Sequence, residues 1–318
     1  MKKIYFLAII SIIIFLCNDI ASAQKTFEDI SLYNNYIVEK HNNILAKYII
    51  YIKTSVHSNS ENKIERKLDD MVNEISIVIK ELEKVTPMKE DSAGFLTSTI
   101  ESLKIEKKLY ENDFKDVDKL KEKSENSYED MLKYFDAEEQ ASKKMQEASA
   151  KTEITQKKFA EDNDFELVES NSKMSEQLEQ ISRVNNYTRL IYLQYFRVYK
   201  PLSLFLEALN NELYSEADSL NKEIAKTCIT SLDSLKNIGT FNNNSNLKTK
   251  ATSLITFYQT SSQTQFVQML EIAQKENLVQ TDVDKYNKLI ETFGTKQSTY
   301  SQAYFTAYDN FMKANIKE

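Results

Sequence analysis

Residues 64–85 read IERKLDDMVNEISIVIKELEKV, and this stretch decides the fold. Ile64, Leu68, Met71, Ile75, Val78, Leu82 and Val85 follow one another at alternating steps of four and three. At the helical period these side chains share one narrow face, with charged residues over much of the remaining surface. Such a face is stable only when buried against another like it, so the segment predicts one helix of a bundle. Pro87 closes it, because proline has no amide to donate and disfavours helix at the residue before it.

The same spacing recurs on both sides. Upstream, Ile30, Tyr33, Ile37, His41, Ile44, Tyr48 and Ile52 predict a helix that ends in the polar stretch His57-Ser58-Asn59-Ser60. Downstream of a turn over 87–94, Leu96, Ile100, Leu103, Tyr110, Phe114 and Val117 form a third stripe. Tyr128, Met131, Phe135, Ala141, Met145 and Ala148 form a fourth, ending after Phe159. A second set follows. Its first helix begins near Ser172 and contains Pro201, and its second runs through Leu213, Ala217, Leu220, Ile224, Cys228 and Leu232 to a stop at Gly239. A third covers about 247–275, and the last starts at Thr281 or Asp282 and runs through Phe311. Between the sets, 166–200 reads either as one long helix or as a short extended linker, Phe165-Glu166-Leu167-Val168, leading into one. The expectation is an all-α protein of two tandem up-down four-helix bundles, module 1 over 24–168 and module 2 over 169–318.

Composition agrees. Three Gly, two Pro and no Trp in 318 residues, with 28% charged, cannot punctuate the many short strands of a sandwich or barrel. The net charge of −7, without any Lys/Arg block, argues against nucleic acid and gives no case for anionic lipid.

The chain opens with Lys2 and Lys3, an uncharged run from Ile4 to Leu16, and the small triplet Ala21-Ser22-Ala23 before Gln24. This is the three-part layout of a secretory signal peptide over 1–23, cleaved between Ala23 and Gln24. The apolar run is shorter than the roughly 20 residues a spanning helix needs, which disfavours an uncleaved anchor. Lipid attachment at Cys17 is disfavoured too, since Leu16 stands where a small residue is required. The expected locations are the periplasm, the outer cell surface or the medium. In the mature chain the densest apolar stretch, Tyr48-Ile49-Ile50-Tyr51-Ile52, meets Lys53 and is too short to span a membrane. Cys228 would be the sole cysteine after cleavage, so no internal disulfide can form, and its place in an apolar stripe makes it a small core residue.

The halves align with each other. Asn34-Asn35-Tyr36 matches Asn185-Asn186-Tyr187 (185 − 34 = 151) and Leu109-Tyr110 matches Phe257-Tyr258 (257 − 109 = 148). Lys158-Phe159 matches Asn310-Phe311 (310 − 158 = 152). Near-constant offsets point to an internal repeat, against the plainer reading that amphipathic helices of one composition look alike.

Three motifs carry a resemblance: Tyr33-Asn34-Asn35-Tyr36-Ile37-Val38, then Asp91-Ser92-Ala93-Gly94-Phe95 leading to Leu109-Tyr110-Glu111-Asn112, then 156–165, which read QKKFAEDNDF. Together they resemble a poorly characterised family of helical surface proteins and lipoproteins of leptospires and Bacteroidota. The resemblance covers about residues 30–166 and reaches the second half through the internal alignment. It implies export, envelope residence and a helical module, and no activity. Leu16 departs from its lipoprotein members.

Candidate chemistry is sparse. Val38 and Thr54 stand three residues before His41 and His57, so the Glu-x-x-His pairs of carboxylate-bridged metal bundles are absent from the sequence. Asp162-Asn163-Asp164 and Asp282-Val283-Asp284 lack the glycine and terminal glutamate of a calcium loop and read as helix ends. Three isolated glycines cannot make a phosphate loop. The reading is therefore of no enzyme, no cofactor, no metal and no catalytic residue. Tyr192, Tyr195 and Tyr199 share one helix face, as do Tyr300, Tyr304 and Tyr308. Tyrosine suits interaction surfaces, so these six are the candidate interface; the plainer reading is core-edge packing, because Leu190 and Phe311 continue the faces. The expected function is a non-catalytic exported envelope or surface protein, structural or binding an unknown protein or another copy of itself. The alternative is a membrane-active, pore-forming or toxin-like helical protein, which ordinarily needs a long apolar hairpin.

Overall fold

In the computed structural model, residues 24–110, 123–167 and 173–318 are described. Among them the regular structure is helical throughout: α1 (Ile30–His57), α2 (Glu61–Leu82), α3 (Phe95–Lys108), α4 (Tyr128–Asp162), α5 (Lys173–Asn210), α6 (Tyr214–Asn237), α7 (Asn246–Gln263), α8 (Gln265–Ala273) and α9 (Gln280–Asn315). Local chemistry sets several starts. Asp29, Ser60 and Ser127 accept the amides of Leu32, Lys63 and Asp130, satisfying donors that a first helical turn leaves orphaned. Phe114 and Val117 of the expected third stripe, and residues 1–23 with Ala23, lie outside the described residues; Gln24 is exposed.

The stretch that opened the reading behaves largely as expected. Met71, Ile75, Val78 and Leu82 are buried along α2. The helix ends at Leu82, so Val85 reaches the core from a turn instead. There the backbone pairs with Lys25, which donates to Lys84 O at 2.9 Å and accepts from Thr86 N at 2.9 Å. The turn before α3 needs Gly94, at φ 75°, a conformation side chains resist. Asp91 then caps α3, accepting Phe95 N at 2.7 Å and Leu96 N at 3.0 Å, and also takes the Tyr33 hydroxyl at 2.7 Å.

Two departures stand out. Residues 165–167 are not helical, so no helix runs unbroken from 166; Val168, the last residue of the linker reading, lies outside the described residues. The single helix expected over about 247–275 breaks at Thr264 (φ −129°, ψ −72°) into α7 and α8. The break re-aims the apolar face, seating Phe266 4.4 Å from Phe205 and 4.9 Å from Phe293 between ring centroids. Pro201 stays inside α5, buried.

Two cores result. The first gathers Tyr33, Ile37, Ile75, Leu82, Phe95 and Phe159 from α1 to α4. The second is built on α5 to α9, with Val198, Phe205, Ile224, Leu254 and Phe266 at 0% exposure. It also contains Ile49 of α1 and Met131 of α4. At 1.5 Å per residue, helices of 28 and 35 residues are about 42 and 52 Å long, so each can serve both cores. Cys228 is fully buried in the second core, where burial pushes its thiol up to about 12.

Candidate functional site

The two tyrosine stripes meet. Where α5 packs on α9, Tyr195 and Tyr304 lie 5.0 Å apart between centroids, and both are buried. Burial drives both phenols far above their ordinary range, and the Tyr304 hydroxyl has no hydrogen-bond partner. Those two are core. Tyr192 and Tyr308 are half-buried, while Tyr199 and Tyr300 remain 37% exposed, Tyr300 stacked on Phe257 of α7 at 5.0 Å. Leu190, expected to continue the α5 face, is instead 50% exposed, since five residues separate it from Tyr195 and turn it away. Phe305 is the aromatic that stripe reasoning missed: 46% exposed, one position off the i, i+4 row, with its ring edge against Tyr195 at 5.5 Å.

Tyr192 and Tyr308 open onto a cavity of about 530 Å³ where α4 lies against α5 and α9. The first two turns of α4 form one wall. Arg189 of α5 donates to the Phe135 carbonyl, and its guanidinium sits 4.6 Å above the Phe135 ring. Phe135 in turn meets Tyr192 edge-on at 6.4 Å, and Arg197 holds the Tyr128 hydroxyl. Met131, between them, is buried in the second core.

A second groove, of about 760 Å³, lies between α1 and α4 over the edge of α3. Its α1 wall carries Asn34, Asn35, His41 and Asn42, and its α4 wall Glu153 and Gln156, with Phe95 in the floor. Gln156 Nε2 donates to Asn34 Oδ1 at 2.9 Å, and Asn34 Nδ2 to Asn35 Oδ1 at 3.3 Å. Burial lowers the His41 imidazole below its ordinary 6.5, so near neutral pH it is uncharged, with one nitrogen donating and one accepting. Glu153 and Lys157 pair along the rim. Asn34 is thus engaged within the wall, while Asn35 and Glu153 stand exposed along the groove. Sequence reading passed over it because a search for apolar periodicity does not see a buried asparagine; the signal was the cluster Asn34-Asn35 with Asn42 beside an apolar stripe.

Among the described residues, no three or more His, Cys, Asp or Glu side chains are grouped to hold a metal ion. The acidic clusters serve helix ends: α4 stops at Asp162, and Asp282 accepts Val279 N at 3.4 Å while pairing with Lys275 at 2.6 Å.

Fold and site together define a class: an all-α protein with polar grooves between long helices. Set against protein-family models, characterised proteins and solved structures, the chain has no match.

Proposed function

We propose that this chain is a non-catalytic, exported module of the cell envelope that binds a protein partner in the groove between α1 and α4. The observation that carries the reading is the groove itself. It is lined by the amides of Asn34, Asn35, Asn42 and Gln156 and by an uncharged imidazole, a lining suited to recognition through hydrogen bonds. Export and envelope residence rest on the signal-like residues 1–23 and on the resemblance carried by residues 30–166. Among the described residues no helix is long and apolar enough to cross a membrane, in keeping with a partner reached outside the bilayer.

The repeat belongs to this reading as well. Its strongest signs are the near-constant offsets, and the aligned Phe159 and Phe311 are both buried, each against a tyrosine of its half's first helix, though Tyr33 and Tyr187 do not themselves align.

A photo-crosslinking side chain at Asn42, in the mature chain expressed in its host, tests the groove. One discrete protein adduct is expected, absent when the crosslinker stands on the far face of α2 at Glu65. A crosslinked dimer would identify a second copy as the partner. Repeated failure to form any adduct, with the chain folded and exported, overturns the proposal.

A further inference from the structure

A chain terminus frays and invites exopeptidases unless it is tied down. In this protein the tie begins one residue after the expected cleavage site. Gln24 is exposed. Lys25 behind it is held through both backbone groups: its amide donates to the Lys84 carbonyl at 2.9 Å, and its carbonyl accepts from the Thr86 amide at 2.9 Å. The Lys25 ammonium rests over the Tyr36 ring, 3.5 Å from the centroid. Two residues on, Phe27 packs against Tyr33 and Tyr36, at 5.7 and 5.3 Å between centroids, on the flank of the first core. Residues 25–27 therefore form a strap that fixes the start of the chain to α1 and to the turn after α2.

Upstream of the strap, cleavage would leave Gln24 alone. Among the described residues no hydrogen bond holds its side chain. An ammonium at this end would stand beside Lys25 and, through the backbone pairing, near Lys84. The carboxylates at the end of α2 are already engaged, Glu81 by Lys40 and Glu83 by Lys104, both at 2.6 Å. A free α-amine and a side-chain carboxamide on one glutamine also stand in the relation of a five-membered ring.

We propose that the mature chain begins at Gln24 and that this residue closes to a pyroglutamyl lactam, giving a neutral, sealed N-terminus held by the strap. The proposal rests on the export reading above. The neutral α-amine, about a tenth of the population at pH 7 since such groups titrate near 8, attacks Cδ of its own side chain. An N–C bond forms, the Cδ–Nε2 bond breaks, and Nε2 leaves as ammonia with the proton that the amine gives up. No oxidant, reductant or second substrate enters. Only groups upstream of the Gln24 carbonyl react, so the Lys25 amide and its bond to Lys84 survive. The lactam carries no terminal charge and offers no amine to an aminopeptidase.

The test expresses the full chain in its host, purifies the exported protein and cuts it after glutamate, releasing residues 24–28 (QKTFE) for mass spectrometry. An isotope-labelled synthetic QKTFE, kept in the same buffers for the same time, reports any closure caused by handling. In most molecules the protein's peptide should be lighter than QKTFE by one ammonia, while the synthetic peptide keeps its amine. The intact protein should resist stepwise N-terminal degradation. Gln24→Asn, whose shorter side chain could close only to a strained four-membered ring, should be cleaved at the same bond and be readable by that degradation. A peptide that begins at Gln24 with its full mass, or is closed no more than the synthetic standard, overturns the lactam and leaves the cleavage standing. A first peptide that begins at any other residue overturns both.

Discussion

At the scale of the residue, the side chain most out of place is Glu106 of α3. Burial pushes its carboxyl up to about 7, against a hydrogen bond from Ser102 that pulls it down. Its folded value thus lies above the unfolded 4.5, so the fold binds a proton that the unfolded chain releases. The sign follows: its contribution is most favourable below about 4.5, weakens as pH rises toward 7, and is then constant. Glu106→Gln removes the penalty, and urea denaturation should show a gain of roughly 1 to 3 kcal/mol near pH 8 and almost none near pH 4. A gain that was larger in acid would contradict the burial. Near Glu106 stands Tyr110, whose phenol burial likewise drives far above its ordinary range.

At the scale of the element, helix starts are where single residues act most strongly. Asp91 serves three donors at once, two amides of α3 and the hydroxyl of the fully buried Tyr33. Burial, and then the Asp91 carboxylate beside it, keep that phenol protonated far above its usual range. Asp91→Ala deprives α3 of its cap and leaves the Tyr33 hydroxyl unpaired, which should cost roughly 2 to 4 kcal/mol in thermal or urea unfolding. Tyr33→Phe, which removes the hydroxyl and keeps the ring, should cost only about 1 kcal/mol. Equal losses from the two variants would mean that capping contributes nothing. The periodicity of α2 was legible from residues 64–85 because an apolar stripe is a local property. The Asp91 cap was not, because its third donor comes from a residue 58 positions away.

At the scale of the whole molecule, α1 and α4 tie the two halves together. Ile49 and Met131 complete the second core, the His57 imidazole meets the Ile316 carbonyl at 2.6 Å, and Arg189 and Arg197 hold the start of α4. Damage in the first half should therefore be felt in the second. Met131→Ala, which empties part of the second core, should cost about 2 to 4 kcal/mol. Native-state hydrogen exchange should then quicken in α5 and α9 as well as in α4. Faster exchange confined to α4 would show that the second half stands without it. The candidate interface is a product of this same scale. The seam of α5 and α9 buries Tyr195 and Tyr304, gives Tyr192 and Tyr308 to the cavity beside α4, and leaves Tyr199, Tyr300 and Phe305 at the surface.

What the sequence determined alone is what nearest neighbours along the chain decide. The run of apolar side chains at steps of three and four sets where helices lie, and the start expected at Thr281 or Asp282 falls within two residues of the observed Gln280. Scarce Gly and Pro settle the all-α class. Only the tertiary structure decided the break at Thr264, the sharing of α1 and α4 between two cores, the fate of each tyrosine, and the groove beside Asn34. The reason is physical. A helical stripe says that one face must be covered, but which flank of it is covered, and where the cover stops, depends on the crossing of helices far apart in the chain.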